Sequence, residues 1–386
     1  MEMDIHYYED FYFSLIKFQY RFYRGMSNYQ GKIIFKDIGF PQEIILGADL
    51  MPVIVESMIG MLPPTTIHER GLDRANSLFY DTGGCSFHRL ALSAVNNNLI
   101  PLPNTFVGLN ACQEVVNDFF VMSNQHKIPF YAIDLPYERS NNAAFFVAKQ
   151  YEETYVKLCE ISGIEPDLIK LSEVIDLSNK AANYFRKANN IRKKYPGLIY
   201  GGQMLKFVNL VMLFGTEGAL QVAQEYYETC NKYAQCNEKK IAPKCKILWC
   251  NMGISYDDKL YEYIEKELGA MITIEEFNIL PEIELTTENP FLGLAERTLN
   301  TPFICDVQLR ANNIIKLVLD YDVDGVVFFS HMNCRLFNSR FNIIKKHLNR
   351  RDIPIIELNG DCLDSRSYNR AQLLTRLEAF VEMISK

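Results

Sequence analysis

Short, nearly continuous apolar runs recur along the chain, separated by longer segments in which apolar positions return every three or four residues. Four such runs, 32–35, 52–55, 105–109 and 129–134, fall in the first part. Four more, 246–250, 271–275, 325–330 and 354–358, fall in the last. A run apolar at successive positions suits a strand buried on both faces. Strands alternating with helical segments predict α/β architecture, with parallel sheets covered by helices.

Residues 151–240 carry a different pattern, poor in strand-like runs and rich in helix formers. Leu168, Leu171, Val174 and Leu177 form one stripe at helical spacing, predicting several helices between the lobes. Asn237-Glu238-Lys239-Lys240 and Pro243 then mark a boundary. The expected organisation is an N-terminal α/β lobe with a leading helix (1–150), a helical linker region (151–240) and a C-terminal α/β lobe (241–386). The leading helix follows from Tyr7, Phe11, Leu15 and Phe18, which place an aromatic stripe on a packed helix or a subunit interface. Val107 and Val327 each fall in the third strand of a lobe, and each strand is followed by a cysteine, Cys112 or Cys334.

The 386 residues are 48% hydrophobic, enough for a large core. The net charge of −7, with no basic block, argues against nucleic-acid binding. No apolar run reaches the roughly 20 residues of a membrane helix, and Met1-Glu2-Met3-Asp4 opens no secretory signal. The expected location is cytoplasmic, with no membrane partner. Neither Gly-x-Gly-x-x-Gly nor a Walker motif occurs, so neither a tightly bound nicotinamide nor ATPase activity is expected.

Ten cysteines in a large chain of this kind are not a disulfide framework. Most fit the role of small buried hydrophobes. Position singles out a few. Ligands of open α/β sheets bind beyond the carboxyl ends of the strands, where Cys112 and Cys334 fall. Cys250 ends the first strand of the second lobe, and Cys362 follows the last. Cys85 follows the glycine turn Asp81-Thr82-Gly83-Gly84 and precedes a helix, whose amino terminus favours a thiolate. Separate thiolates suit an iron–sulfur cluster or zinc. Structural zinc usually takes paired ligands such as Cys-x2-Cys, which the chain lacks. Spacing alone leaves cluster, zinc and core cysteine open. His88, His331 and Arg335 flank these cysteines, as hydrogen-bond or proton donors, as ligands, or as ordinary structural residues.

Several ordered segments resemble the 2-hydroxyacyl-CoA dehydratase and benzoyl-CoA reductase family. Leu78-Phe79-Tyr80-Asp81-Thr82-Gly83-Gly84-Cys85 is similar to its first cysteine segment. The stretch 104–112, followed by Ile128-Pro129-Phe130-Tyr131-Ala132-Ile133-Asp134-Leu135-Pro136, is similar to the second. Asp324-Gly325-Val326-Val327 with His331 and Cys334 is similar to the third. Glu357-Leu358-Asn359-Gly360-Asp361 and the stretch 372–380 resemble the closing motif, and Pro41-Gln42-Glu43 resembles a Pro-x-Glu segment near the start.

The resemblance implies two Rossmann-like lobes with one 4Fe–4S cluster in the cleft between them, held by Cys85, Cys112 and Cys334. It implies a heterodimer with a related dehydratase subunit, an ATP-dependent activator iron–sulfur protein, and an acyl-CoA substrate. One low-potential electron would convert the thioester into a ketyl radical anion, from which water is eliminated to give an enoyl-CoA. Glu43 matches the family's carboxylate and is a candidate general base. The segment Lys36-Asp37-Ile38-Gly39 before it carries no serine or cysteine to support a ligand at the cluster. An electron-relay subunit or a benzoyl-CoA reductase subunit is therefore the alternative, and a non-redox two-lobed binding protein a second. A fused double cluster is not expected: Cys250 and Cys305 are suggestively placed, but Glu276-Phe277-Asn278 lacks a cysteine.

Overall fold

The computed structural model describes residues 7–28, 32–61, 66–78, 83–236, 241–280, 283–304 and 306–385. Eight strands form two four-stranded parallel sheets. The first holds β1 (Ile33–Lys36), β2 (Met51–Ile54), β3 (Thr105–Leu109) and β4 (Phe130–Ile133) in the order β2-β1-β3-β4. The second holds β5 (Cys245–Cys250), β6 (Ala270–Glu275), β7 (Gly325–His331) and β8 (Ile355–Gly360) in the order β6-β5-β7-β8. The two orders are the same, and Val107 pairs with Lys36 as Val327 pairs with Trp249. In both sheets the chain reverses direction across the sheet between the first and third strands, which opens a crevice at their carboxyl ends.

All eight expected strands form, with shifted ends. β1 includes Lys36, which is fully buried, because its ammonium group donates to the Asp37 carbonyl at 2.9 Å. β8 runs on through Asn359 and Gly360, which pair with Ser330 and His331 of the long neighbour β7.

The first eight helices are α1 (Asp10–Arg24), α2 (Gln42–Gly47), α3 (Val55–Gly60), α4 (Thr66–Ser77), α5 (Ser86–Asn96), α6 (Gln113–His126), α7 (Asn141–Ser162) and α8 (Leu168–Lys194). α7 starts at Ser140, whose hydroxyl accepts from Ala143 N–H, and stops at Gly163 in the left-handed region (φ 74°). α8 is capped by Asp167 and packs against helix Glu217–Ala234 and α2. Its buried face runs through Leu171, Ile175, Ser178, Ala181, Phe185, Ala188 and Arg192. This differs from the expected stripe, since Leu168 is exposed and Val174 and Leu177 are half-buried. The true face contains polar residues that an apolar count skips. Ser178 donates to Glu43 of the first lobe, and Arg192 pairs with Glu275 of the second. One helix thus ties both sheets through buried polar contacts.

α1 turns its aromatic face into the chain. Phe11 packs against Phe207 and Tyr226, and Tyr7 stacks on Tyr200 while its hydroxyl donates to Glu265. No described helix is long and apolar enough to cross a membrane.

Candidate functional site

Cys85, Cys112 and Cys334 occupy equivalent local positions. Each is the extended residue that starts a helix: α5, α6 and the single turn Arg335–Asn338. Cys112 and Cys334 follow the carboxyl ends of β3 and β7, the central partners of β1 and β5. None of the three sulfurs completes a cap hydrogen bond. The amides two and three residues on still face each sulfur closely enough to favour its thiolate: Phe87 and His88, Glu114 and Val115, Leu336 and Phe337.

Burial works the other way and prevails. It pushes the Cys85 thiol well above its ordinary range, with the charges of Cys334 and Cys112 adding to the effect. Burial likewise raises Cys112 to about 12 and Cys334 to about 11, and Cys334 also acts on Cys112. The three sulfurs therefore lie close enough for charge on one to disfavour charge on another. Compensation would require positive charge placed among them. Among the described residues, no three His, Cys, Asp or Glu side chains are grouped to hold a metal ion. The same holds for Cys85, Cys112 and Cys334, the expected cluster ligands, which do not form such a group.

The two lobes close around Cys85. Its sulfur lies 3.5 Å from His331 Nε2. Ser86 Oγ donates to Asp361 Oδ1 at 2.8 Å, and Asn333 Nδ2 donates to Gly84 O at 3.4 Å. Arg335 is exposed and reaches Glu114 at 3.6 Å, another contact across the lobes. Asp361 Oδ1 also accepts from the amides of Leu363 and Asp364, so the end of β8 is pinned beneath α5.

Ionisable side chains that sequence reasoning passed over gather at the strand ends of the first lobe. Lys36 ends β1 and Asp37 follows it, and Glu56 is the second residue of α3, just after β2. Burial lowers Lys36 to about 8 and raises Asp37 to about 6. It raises Glu56 to about 8, helped by the Asp37 charge. His88 Nε2 lies 3.7 Å from Glu56 Oε1, and its Nδ1 lies 3.3 Å from Asp118 Oδ2. Burial lowers His88 to about 4 and raises Asp118 to about 8. Near neutral pH these are contacts between neutral groups rather than ion pairs.

Glu56 also lines a mostly apolar cavity between the lobes, with Met61, Phe87, Leu205, Ile254 and Tyr261. Its Oε2 is buried and has no hydrogen-bond partner among the described residues. The ring of Phe87 links this cavity to the thiols, meeting the His331 ring edge-on at 5.4 Å. A mainly apolar pocket with few polar groups suits a small organic ligand. A signal for Glu56 was present in the sequence, because it follows a strand end as Cys112 and Cys334 do.

Glu43 lies apart from the thiols, in a different arrangement. Fully buried on α2, it takes two hydrogen bonds from Arg297 at 2.7 Å and one from Ser178 at 2.6 Å. These partners outweigh burial and hold its carboxyl below the usual range. Cys250 is buried beside the Arg310–Glu276 pair, and Cys362 is buried at the end of β8. Cys305 lies outside the described residues.

Comparison with known proteins follows the same lines. Residues 37–384 match the family described as 2-hydroxyglutaryl-CoA dehydratase, D-component. The chain is 22% identical to the (R)-phenyllactyl-CoA dehydratase alpha subunit of Clostridium sporogenes, over 89% of this chain and 88% of that protein. It is 22% identical to the alpha subunit of lactoyl-CoA dehydratase from Anaerotignum propionicum, over 74% and 70%. It is 19% identical to a benzoyl-CoA reductase subunit of Thauera aromatica, over 76% and 73%.

Proposed function

The chain belongs to the 2-hydroxyglutaryl-CoA dehydratase D-component family, and we propose that it is the substrate-facing iron–sulfur subunit of a 2-hydroxyacyl-CoA dehydratase. The observation that supports this reading is three cysteines that each start a helix, Cys85 buried and Cys112 and Cys334 half-buried, near an apolar cavity lined by Glu56, whose carboxyl burial raises to about 8. The donor set fits a 4Fe–4S cluster held by Cys85, Cys112 and Cys334. A cluster gives each cysteine its own iron, so its thiolates need not crowd round one ion. Held by Cys85, Cys112 and Cys334, such a cluster would supply one low-potential electron to the thioester substrate.

The chain's own residues supply binding and proton handling. The apolar wall of Met61, Leu205 and Ile254 seats an acyl group and excludes water. Glu56, protonated near neutral pH, gives its proton to the departing hydroxyl group. Glu43 serves as a brace between α2 and Arg297 and leaves the acid–base role to Glu56. In this reading residues 1–150 and 241–386 close over the site, and 151–240 hold them in register. A related subunit and an ATP-dependent activator are the expected partners.

Binding of a 2-hydroxyacyl-CoA to the anaerobically purified full chain tests this. Saturable binding supports the reading. A chain that carries its cluster but binds no thioester is an electron relay. A chain that binds a ligand but carries no iron is a non-redox binding protein.

A further inference from the structure

His331 ends β7 and is almost wholly buried. The backbone N–H of Cys362 donates to its Nδ1 at 3.0 Å. An imidazole nitrogen that accepts a hydrogen bond carries no proton, so the neutral ring must hold its hydrogen on Nε2. Nε2 in turn faces the Cys85 sulfur at 3.5 Å, within reach of an N–H···S bond. The ring has little freedom to leave this pose. Phe87 packs edge-on against it, Asn338 Nδ2 donates to the His331 carbonyl at 2.7 Å, and Met332 N–H donates to Gly360 O. Asp361 Oδ1 stands 4.0 Å from Nδ1, outside hydrogen-bond distance, and is already occupied by Ser86 and two amides.

We propose that His331 is a positioning residue whose Nε2–H donates to the Cys85 sulfur, orienting that ligand and raising the potential at which the metal group accepts its electron. The inference rests on the cluster reading above. Hydrogen bonds to ligating sulfurs stabilise the more negative, reduced state, so their number and strength help set the potential. Among the described residues, Cys85 differs from Cys112 and Cys334 in having this side-chain donor from the opposite lobe. The bond therefore also couples lobe closure to the electronic state of the site.

The test compares the full chain, loaded with iron and sulfide under anaerobic conditions, as wild type, His331→Gln and His331→Met. The glutamine amide can reach the sulfur as a donor, and methionine has similar length without one. Equal iron content, a more negative midpoint potential and altered electron paramagnetic resonance in His331→Met, with both restored in His331→Gln, is the expected result. A loaded His331→Met chain with the wild-type potential and spectrum overturns the inference and leaves the cluster reading standing. A wild-type chain that takes up no iron overturns both. If His331→Met does not load, nitrogen-15 spectra of the cluster-free wild type decide: the Nε2–H tautomer supports the inference, and the Nδ1–H tautomer overturns it.

Discussion

The two sheets share one strand order, yet their carboxyl ends carry opposite kinds of polar chemistry. In the second sheet, Glu275 and Glu276 follow one another at the end of β6, and each is held by a bidentate arginine. Arg192 binds Glu275, and Arg310 binds Glu276 while lying between the rings of Phe328 and Phe337. Buried charges paired in this way are fixed in place. In the first lobe, Lys36 and Asp37 are buried and Glu56 and Asp118 half-buried, with incomplete partners, and desolvation draws them to about 8, 6, 8 and 8. At these strand ends the second lobe is a frame, and the first keeps groups that can exchange protons near neutral pH. Perturbed groups lining a cavity are the usual mark of a working site.

Changes in each lobe should therefore fail differently. The largest effect is expected from Cys112→Ser, which should abolish iron retention while circular dichroism stays that of the wild type. Iron retained at the wild-type level would remove Cys112 from the ligand set. Next, Glu56→Gln should keep iron and fold but lower turnover by roughly 10²–10⁴-fold, as loss of a general acid does. Unchanged turnover in the assembled enzyme would return the acid–base role to another group. In the frame lobe, Arg192→Met should leave iron content alone and cost about 3–5 kcal/mol in urea unfolding, because Glu275 is left charged and buried.

The pH response sharpens the contrast. In the cluster-free chain, folded Glu56 and Asp118 hold protons that the unfolded chain releases above the ordinary carboxyl range, near 4.5 and 3.8. Their contribution to stability is complete below that range and is lost as pH rises to about 8. The pair Glu56→Gln and Asp118→Asn should flatten this fall, measured as the urea midpoint against pH. A slope unchanged by the pair would mean that both carboxyls are ionised in the folded chain. The smallest effect is expected from Ser178→Ala, roughly 1–3 kcal/mol for a lost hydrogen bond to a buried carboxylate.

Apolar runs made all eight strands legible, because doubly buried parallel strands leave a continuous signal. The three cysteines were legible as positions, since strand ends in α/β sheets are where ligands gather. The buried face of α8 was misjudged because Ser178 and Arg192 belong to it, and their burial depends on carboxylates more than eighty residues away. Glu43 stood out through its motif, but Arg297, which holds its carboxylate, is 254 residues distant. Glu56 follows a strand end, a signal the sequence did offer, but its raised pKa comes from packing, which no local pattern announces. The resemblance supplied the chemistry, while the contrast between frame and reactive lobe is visible only once the side chains meet.

The most direct test is iron and acid-labile sulfide content after strictly anaerobic purification, with visible spectra before and after brief exposure to air. The account predicts about four irons and four sulfides per chain and a brown colour that air bleaches. A colourless, iron-free chain, even when expressed anaerobically with iron and sulfide supplied, would contradict it.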